Sequence, residues 1–174
     1  GFILIPSSDA WKLLLPALLP NRQPVEIFRR PHDFDINLFK HSKNLGFQIP
    51  SDLQLKPIDE PTAKNIPITA SWSLLDDCFA NGIGYMLFKN GELAASCVSA
   101  FSSSKKVGLD VHTQENFRLQ GLAELVRYAF IEKCIQSGKS PNWERFWNKE
   151  PSLNLAKNLG FIKYEKYPVY YWEK

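Results

Sequence analysis

Two apolar runs, Ile83 to Lys89 and Glu92 to Phe101, are separated by Asn90-Gly91 alone. That dipeptide supplies positive φ at both central positions of a type I′ turn, whose twist matches the strands it joins, so an antiparallel hairpin is predicted. The run Ser102 to Lys106 is polar and unperiodic and predicts a further turn, followed by a third strand from Val107 to about Thr113. Three consecutive antiparallel strands make a sheet the frame against which the rest of the chain must pack.

Helical signals flank these strands. Ser73 with Asp76 three residues on resembles a capping box for a short helix through Cys78 and Phe79, closed by Asn81-Gly82. From Leu122 to Gln136 an apolar stripe runs at helical spacing through Leu122, Leu125, Val126, Ala129, Phe130 and Lys133-Cys134, and Gly138 ends it. Trp143 to Trp147 is expected to form a strand, and Pro151 to open a helix through Leu159 that stops at Gly160. Phe161 to Trp172 is strand-rich, aromatic and bent near Pro168. The order predicts an α/β (α+β) domain, with helices flanking a mixed, mostly antiparallel twisted sheet, over residues 71–174.

Residues 1–70 differ. Prolines at 6, 16, 20, 24, 31, 50, 57, 61 and 67 limit them to short helices and isolated strands, an irregular segment packing on the core. Ser8 is expected to cap a helix over Trp11 to Leu15. A second helix is expected from Asp33 to Asn44, with Phe34, Leu38 and Leu45 on one face and Gly46 as its stop, and a strand over Leu53 to Ile58.

With 174 residues, 44% of them hydrophobic, the chain can bury a core without staples and lacks the apolar depletion of disordered sequences. Its longest apolar stretch, Leu13 to Leu19, is cut by Pro16, far short of the roughly 20 residues a bilayer requires, and predicts no membrane span. Cys78, Cys97 and Cys134 are odd in number and far apart, which argues against a disulfide framework or zinc site; buried thiols in a cytoplasmic protein fit best. The opening Gly1-Phe2 has no initiator methionine and no basic leader, which reads as a trimmed fragment rather than a signal peptide. His32 and His41, beside Asp33 and Asp35, lack a third ligand of metal-binding spacing and read as surface histidines; no metal is expected. Arg29-Arg30 reads as a solvated edge, and Trp143, Trp147 and Trp172 as packing residues.

Chemistry is concentrated in Arg118-Leu119-Gln120-Gly121-Leu122-Ala123, between a strand end and a helix start. A helix start presents unpaired backbone N–H groups and the positive end of a dipole, so a loop without bulky side chains there can hold a pyrophosphate. Gly121 permits the close approach, Ala123 keeps the next turn small, and Arg118 adds a charge. Residues of these types at this spacing arise by chance in roughly one chain in five of this length, so the strand-to-helix placement carries the weight. A net charge of +3, from 21 basic against 18 acidic residues, suits a pocket for a phosphorylated small ligand better than a nucleic-acid face.

These residues resemble the coenzyme A loop of the GCN5-related N-acetyltransferases, a Gln/Arg-x-x-Gly-x-Gly/Ala run after the fourth core strand. The resemblance extends over Thr113 to Ala123, and over Asn148, Ser152 and Leu155-Ala156-Lys157-Asn158-Leu159-Gly160-Phe161. More thinly, it takes in Phe47 to Asp59, Trp72, Phe79 and Gly82-Ile83-Gly84-Tyr85, similar to a bacterial branch with an extended N-terminal segment. It implies an acyl-CoA N-acyltransferase fold in which acetyl-CoA serves as co-substrate. Pantetheine would pair with Val111, His112 and Thr113, pyrophosphate would sit on amides from Leu119 to Ala123 beside Arg118 and Gln120, and Asn148 and Ser152 would complete the site. The acceptor would be a small-molecule or peptide amine attacking the thioester directly, with an oxyanion held by a backbone N–H of the Val107 to Thr113 strand.

Two family features are absent. Where members often carry a basic group early on the fourth strand, this chain has Val107 and Leu109; where many carry a leaving-group tyrosine, it has Ala156. Asp110, His112 and Glu115 are the titratable candidates nearby. A catalytically weak or inactive acyl-CoA-binding scaffold is therefore the alternative. A third reading, RNA binding through Arg29, Arg30, Lys105 and Lys106, requires a continuous basic patch and is not expected; neither is a membrane partner, while homodimerisation is left open.

Overall fold

The computed structural model describes residues 2–44, 48–63, 66, 72, 75–146, 159–163 and 165–172. The hairpin forms where the Asn-Gly signal places it. Strand β4 (Gly84–Lys89) turns through Asn90 at φ 53° and Gly91 at φ 82° into β5 (Glu92–Ser102). Beyond β5 lies β6 (Lys106–Thr113), antiparallel to it, and on the far side of β4 lies β3 (Leu53–Pro57), also antiparallel. Helix α5 (Leu122–Gln136) follows β6 and leads through Gly138, at φ 69°, into β7 (Ser140–Phe146), which runs parallel to β6. The expected class is the one observed, a mixed and mostly antiparallel sheet flanked by helices.

The first 34 residues contribute more to that sheet than a covering layer. Strands β1 (Phe2–Leu4) and β2 (Val25–Phe34) both join it, and the path across it is β1-β9-β2-β7-β6-β5-β4-β3, with β9 being Tyr167–Trp172. One edge of β2 pairs with β7 over Arg29 to His32. The other pairs with β9 over Val25 to Arg29 and then with β8 (Phe161–Lys163) over His32 to Phe34. Pro31, which reads in sequence as a breaker, lies at the break where that second edge passes from β9 to β8, so its missing N–H costs no ladder bond on that side. No period-2 alternation marks β2, because seven of its ten positions are half-buried.

The interior position of β2 corrects two expectations. His32 is 2% exposed, with its ring stacked 5.6 Å from that of Trp143 and Nδ1 3.3 Å from the Trp143 carbonyl oxygen, so it is a core residue and not a surface one. Arg29 is likewise no solvated edge; its Nε lies 3.3 Å from Glu144 Oε2 across the β2–β7 pair.

Helix α1 (Ala10–Leu18) runs past the expected Leu15 and accommodates Pro16 in its interior. Helix α2 (Ile36–Asn44) starts three residues later than the apolar spacing suggests, because Asp33 and Phe34 belong to β2. Asp35 Oδ1 caps it, accepting from the N–H groups of Asn37 at 2.8 Å and Leu38 at 3.3 Å. Leu45, Gly46, Ser73 and most of the helix expected from Pro151 to Leu159 lie outside the described residues. Short helices α3 (Glu60–Ala63) and α4 (Leu75–Asn81) precede β4.

The core has two parts, one on each face of β3–β6. Leu122, Val126 and Phe130 of α5 pack on Leu87, Val107, Leu109 and Trp143, while Ile66, Cys78, Met86 and Val98 fill the opposite side with Trp72 against them. The three thiols are buried, and burial pushes Cys97 up and Cys134 up to about 12, as inert core residues would be.

Candidate functional site

Parallel pairing between β6 and β7 is confined to Lys106, Val107 and Gly108 against Ser140, Pro141 and Asn142; beyond those residues the strands diverge. β6 continues to Thr113 along β5 without that neighbour. Gln114 N–H donates to Ala94 O at 2.9 Å, which fixes the alternation along β6: even-numbered N–H groups face β5, and those of Val111 and Thr113 face the cleft that β7 leaves. The Val111 N–H donates at 2.8 Å to Asp110 Oδ1, the carboxylate of the residue before it.

At the C-terminal end of this cleft a 3-10 turn, Glu115–Phe117, leads into the loop before α5. Leu119 at φ 63° and Gly121 at φ 75° are both left-handed, and Gly121 is the N-cap of α5. A Cβ on Gly121 would meet nothing within 4 Å, so the space over the helix start is open. Helical bonding begins when Glu124 N–H donates to Gly121 O at 3.0 Å. Among the described residues, no backbone acceptor is recorded for the N–H groups of Leu119, Gln120, Gly121, Leu122 or Ala123. Leu119 projects fully into solvent.

A cavity of about 320 Å³ sits at this point, lined by Thr113, Phe117, Arg118, Leu119, Gly121, Leu122, Ala123 and Glu124. Thus Thr113 and five of the six loop residues named from the sequence come together, while Gln120 turns aside. Its amide donates to Asn116 O at 3.3 Å and its oxygen accepts from Lys89 Nζ at 2.8 Å. Lys89, carried to the loop by the β4–β5 hairpin, has no sequence signal near the motif. Arg118 lies 3.5 Å from Glu115 in an exposed pair, so both side chains remain free to turn toward a ligand. Asp110 is exposed and His112 half-buried, and both lie on the face of β6 opposite Val107 and Leu109. Glu115 is on the 3-10 turn, apart from that pair. Asn148 and Ser152 lie outside the described residues. Among the described residues no group of three or more His, Cys, Asp or Glu side chains could hold a metal ion.

The donors and the open space suit a pyrophosphate-bearing group with an extended amide arm. Five consecutive N–H groups stand at the positive end of a 15-residue helix, and the adjacent strand edge has lost its sheet neighbour.

The family of GNAT acetyltransferases matches residues 1–170, and the chain belongs to it. A named relative, the uncharacterized N-acetyltransferase YdfB of Bacillus subtilis (strain 168), is 28% identical over 176 residues, covering 98% of this chain and 66% of its own length. The chain thus spans just under two thirds of that relative. A GCN5-related N-acetyltransferase-like protein from Streptococcus suis 89/1591 superimposes with a TM-score of 0.77 at 22% identity, over 98% of this chain and 71% of that one. A GCN5-related N-acetyltransferase from Kribbella flavida gives 0.57 at 12% identity, over 91% and 62% respectively. Both share the fold.

Proposed function

We propose that this chain transfers an acetyl group from acetyl-CoA to an amine, small-molecule or peptide, by direct attack within a ternary complex in the cytoplasm. The observation that carries the reading is the conjunction of unbonded N–H groups at the start of α5 with the divergence of β6 from β7 beside them. The amides of Leu119 to Ala123 would hold the pyrophosphate, with Arg118 and Lys89 supplying positive charge at its rim. The cleft-facing edge of Val111 to Thr113 would pair with the pantetheine arm, and by family resemblance Asn148 and Ser152 would complete that wall.

Acetyl-CoA supplies an activated thioester when bound. The chain supplies a donor and an acceptor. In that complex the Val111 N–H, turned from Asp110, would stabilise negative charge on the thioester oxygen, and the Asp110 carboxylate would accept the proton of the attacking amine. As the C–N bond forms and the C–S bond breaks, coenzyme A would leave as the thiolate and take a proton from water. His112 and Glu115 are the remaining candidates for that proton.

Calorimetric titration with acetyl-CoA and its dephospho and desulfo analogues tests the reading without the acceptor. Micromolar binding weakened by loss of the 3′-phosphate is expected; no binding to folded protein sinks it. Binding of acetyl-CoA without turnover on any amine favours the second reading, an acyl-CoA-binding scaffold. That reading is motivated by the buried apolar Val107 and Leu109 where a basic group is usual.

A further inference from the structure

Arg127 lies on α5, six residues past its N-cap and about 9 Å along the helix from it at 1.5 Å per residue. It is 7% exposed. Its guanidinium carbon sits 4.6 Å from the centre of the Trp143 ring. Trp143 is the first residue of β7 beyond the last pair with β6, Gly108–Asn142, so the guanidinium sits over β7 where that strand parts from β6. Both Nε and Nη1 are buried without a hydrogen-bond partner, and among the described residues no carboxylate lies within 4.0 Å. Burial lowers its pKa, and Cys97, Glu124 and Asp110 act on it only through longer-range attraction.

A buried, unpaired charge is among the costliest features a fold can carry, and arginine cannot escape by losing its proton. The indole face screens one side of the guanidinium and contributes part of the compensation. The Nε and Nη1 groups are left without an acceptor. A planar guanidinium covered on one face by an indole matches a carboxylate, which can accept two parallel N–H bonds in its plane.

We infer that Arg127 forms an anion subsite beside the β6–β7 cleft that takes a carboxylate, carried either by the acceptor or by the acyl group of a dicarboxylic acyl-CoA used in place of acetyl-CoA. The inference rests on reading the cleft as the donor channel, and it makes Arg127 a determinant of specificity.

The test uses the whole chain and two stable thioethers that differ only in charge, S-carboxymethyl-CoA and S-carbamoylmethyl-CoA. If the donor carries the carboxylate, the charged probe binds at least tenfold tighter to the wild type, and Arg127→Met erases the difference while leaving affinity for free CoA within twofold. If the acceptor carries it, the two probes bind alike, and succinate titrated into CoA-saturated protein binds the wild type but not Arg127→Met. Equal behaviour of wild type and variant in both titrations, with CoA bound by each, overturns the subsite and leaves Arg127 a packing residue. Failure of the wild type to bind CoA overturns the proposed function instead; succinate titration of the free protein then decides the subsite, and a response independent of Arg127 overturns it. Replacing an unpartnered charge by an apolar chain of similar length should raise the Tm by about 2–4 °C. Should the variant fail to fold, the charged and neutral probes compared on wild type alone still decide the donor arm, and Arg127→Lys, which keeps the charge without the fork, decides the acceptor arm by weakening succinate binding.

Discussion

The Arg29 guanidinium reaches Glu144 Oε2 at 3.3 Å, on the same oxygen to which Tyr167 donates a hydrogen bond at 2.9 Å. One carboxylate therefore joins β2, β7 and β9, three strands far apart in sequence. Glu144→Ala should cost about 2 kcal/mol, since it leaves a half-buried guanidinium and a phenol without their shared acceptor. Urea unfolding reads this as a lower midpoint at unchanged slope. A midpoint equal to that of the wild type would show that the three-way contact contributes nothing to stability.

Burial, then the hydrogen bond to Glu144, pushes the Tyr167 hydroxyl up to about 12. The folded pKa lies above the unfolded value near 10, so the unfolded state loses its proton first as pH rises. The contribution is whole below about pH 10 and is lost between pH 10 and 12. Thermal unfolding across that window should fall less steeply for Tyr167→Phe than for the wild type; parallel curves contradict the assignment.

Gly160 holds φ 79°, and a Cβ there would come within 2.7 Å of Asp35 O and 3.0 Å of Phe39 N. Its carbonyl accepts the Asp35 N–H at 2.8 Å, at the cap of α2. Gly160→Ala combines left-handed strain with a backbone clash and should destabilise by about 3 kcal/mol. A loss under 1 kcal/mol on chemical denaturation means α2 can shift away freely.

How far the sequence discloses the molecule depends on the range of the forces involved. The Asn90-Gly91 turn and α5 with its closing glycine are written locally, and both form as expected. Strand β2 is not: its partners come from residues 143–171, its periodicity is masked by burial on most positions, and Pro31 argues against it until the break between β8 and β9 is seen. The phosphate-loop candidate is legible because its chemistry belongs to the backbone, for which glycine is a visible marker. Arg127 and Lys89 are not legible, since a charged letter reads as solvated until a Trp143 ring or a hairpin brings a neighbour to it. The stripe through Leu122 and Phe130 is likewise incomplete, because Arg127, Tyr128 and Ile131 are buried as well.

Gly121→Glu should abolish acetyl-CoA binding, at least 100-fold by calorimetry, because a side chain and a negative charge enter the open space over the α5 start. The left-handed φ adds a stability cost of about 1 kcal/mol, small enough to leave the domain folded. Unchanged affinity would remove the loop from the site.

Among the three titratable candidates, Asp110→Ala should show the largest loss of turnover, about 100-fold. Glu115→Ala should stay within twofold, because its side chain is exposed on the 3-10 turn beside Arg118. The reverse order, or wild-type rates for Asp110→Ala and His112→Ala alike, means the amine gives up its proton to another group or to water.

Because β2 is flanked by β7 on one edge and by β8 and β9 on the other, a strand made early in synthesis has no partner until residues 140–172 have left the ribosome. Its open edges must be tolerated or shielded throughout elongation, and the middle of the sheet closes as a late, long-range event. A nascent chain halted before β7 would hold the β3–β6 meander, yet could not build the half of the sheet that gives the cleft its second wall.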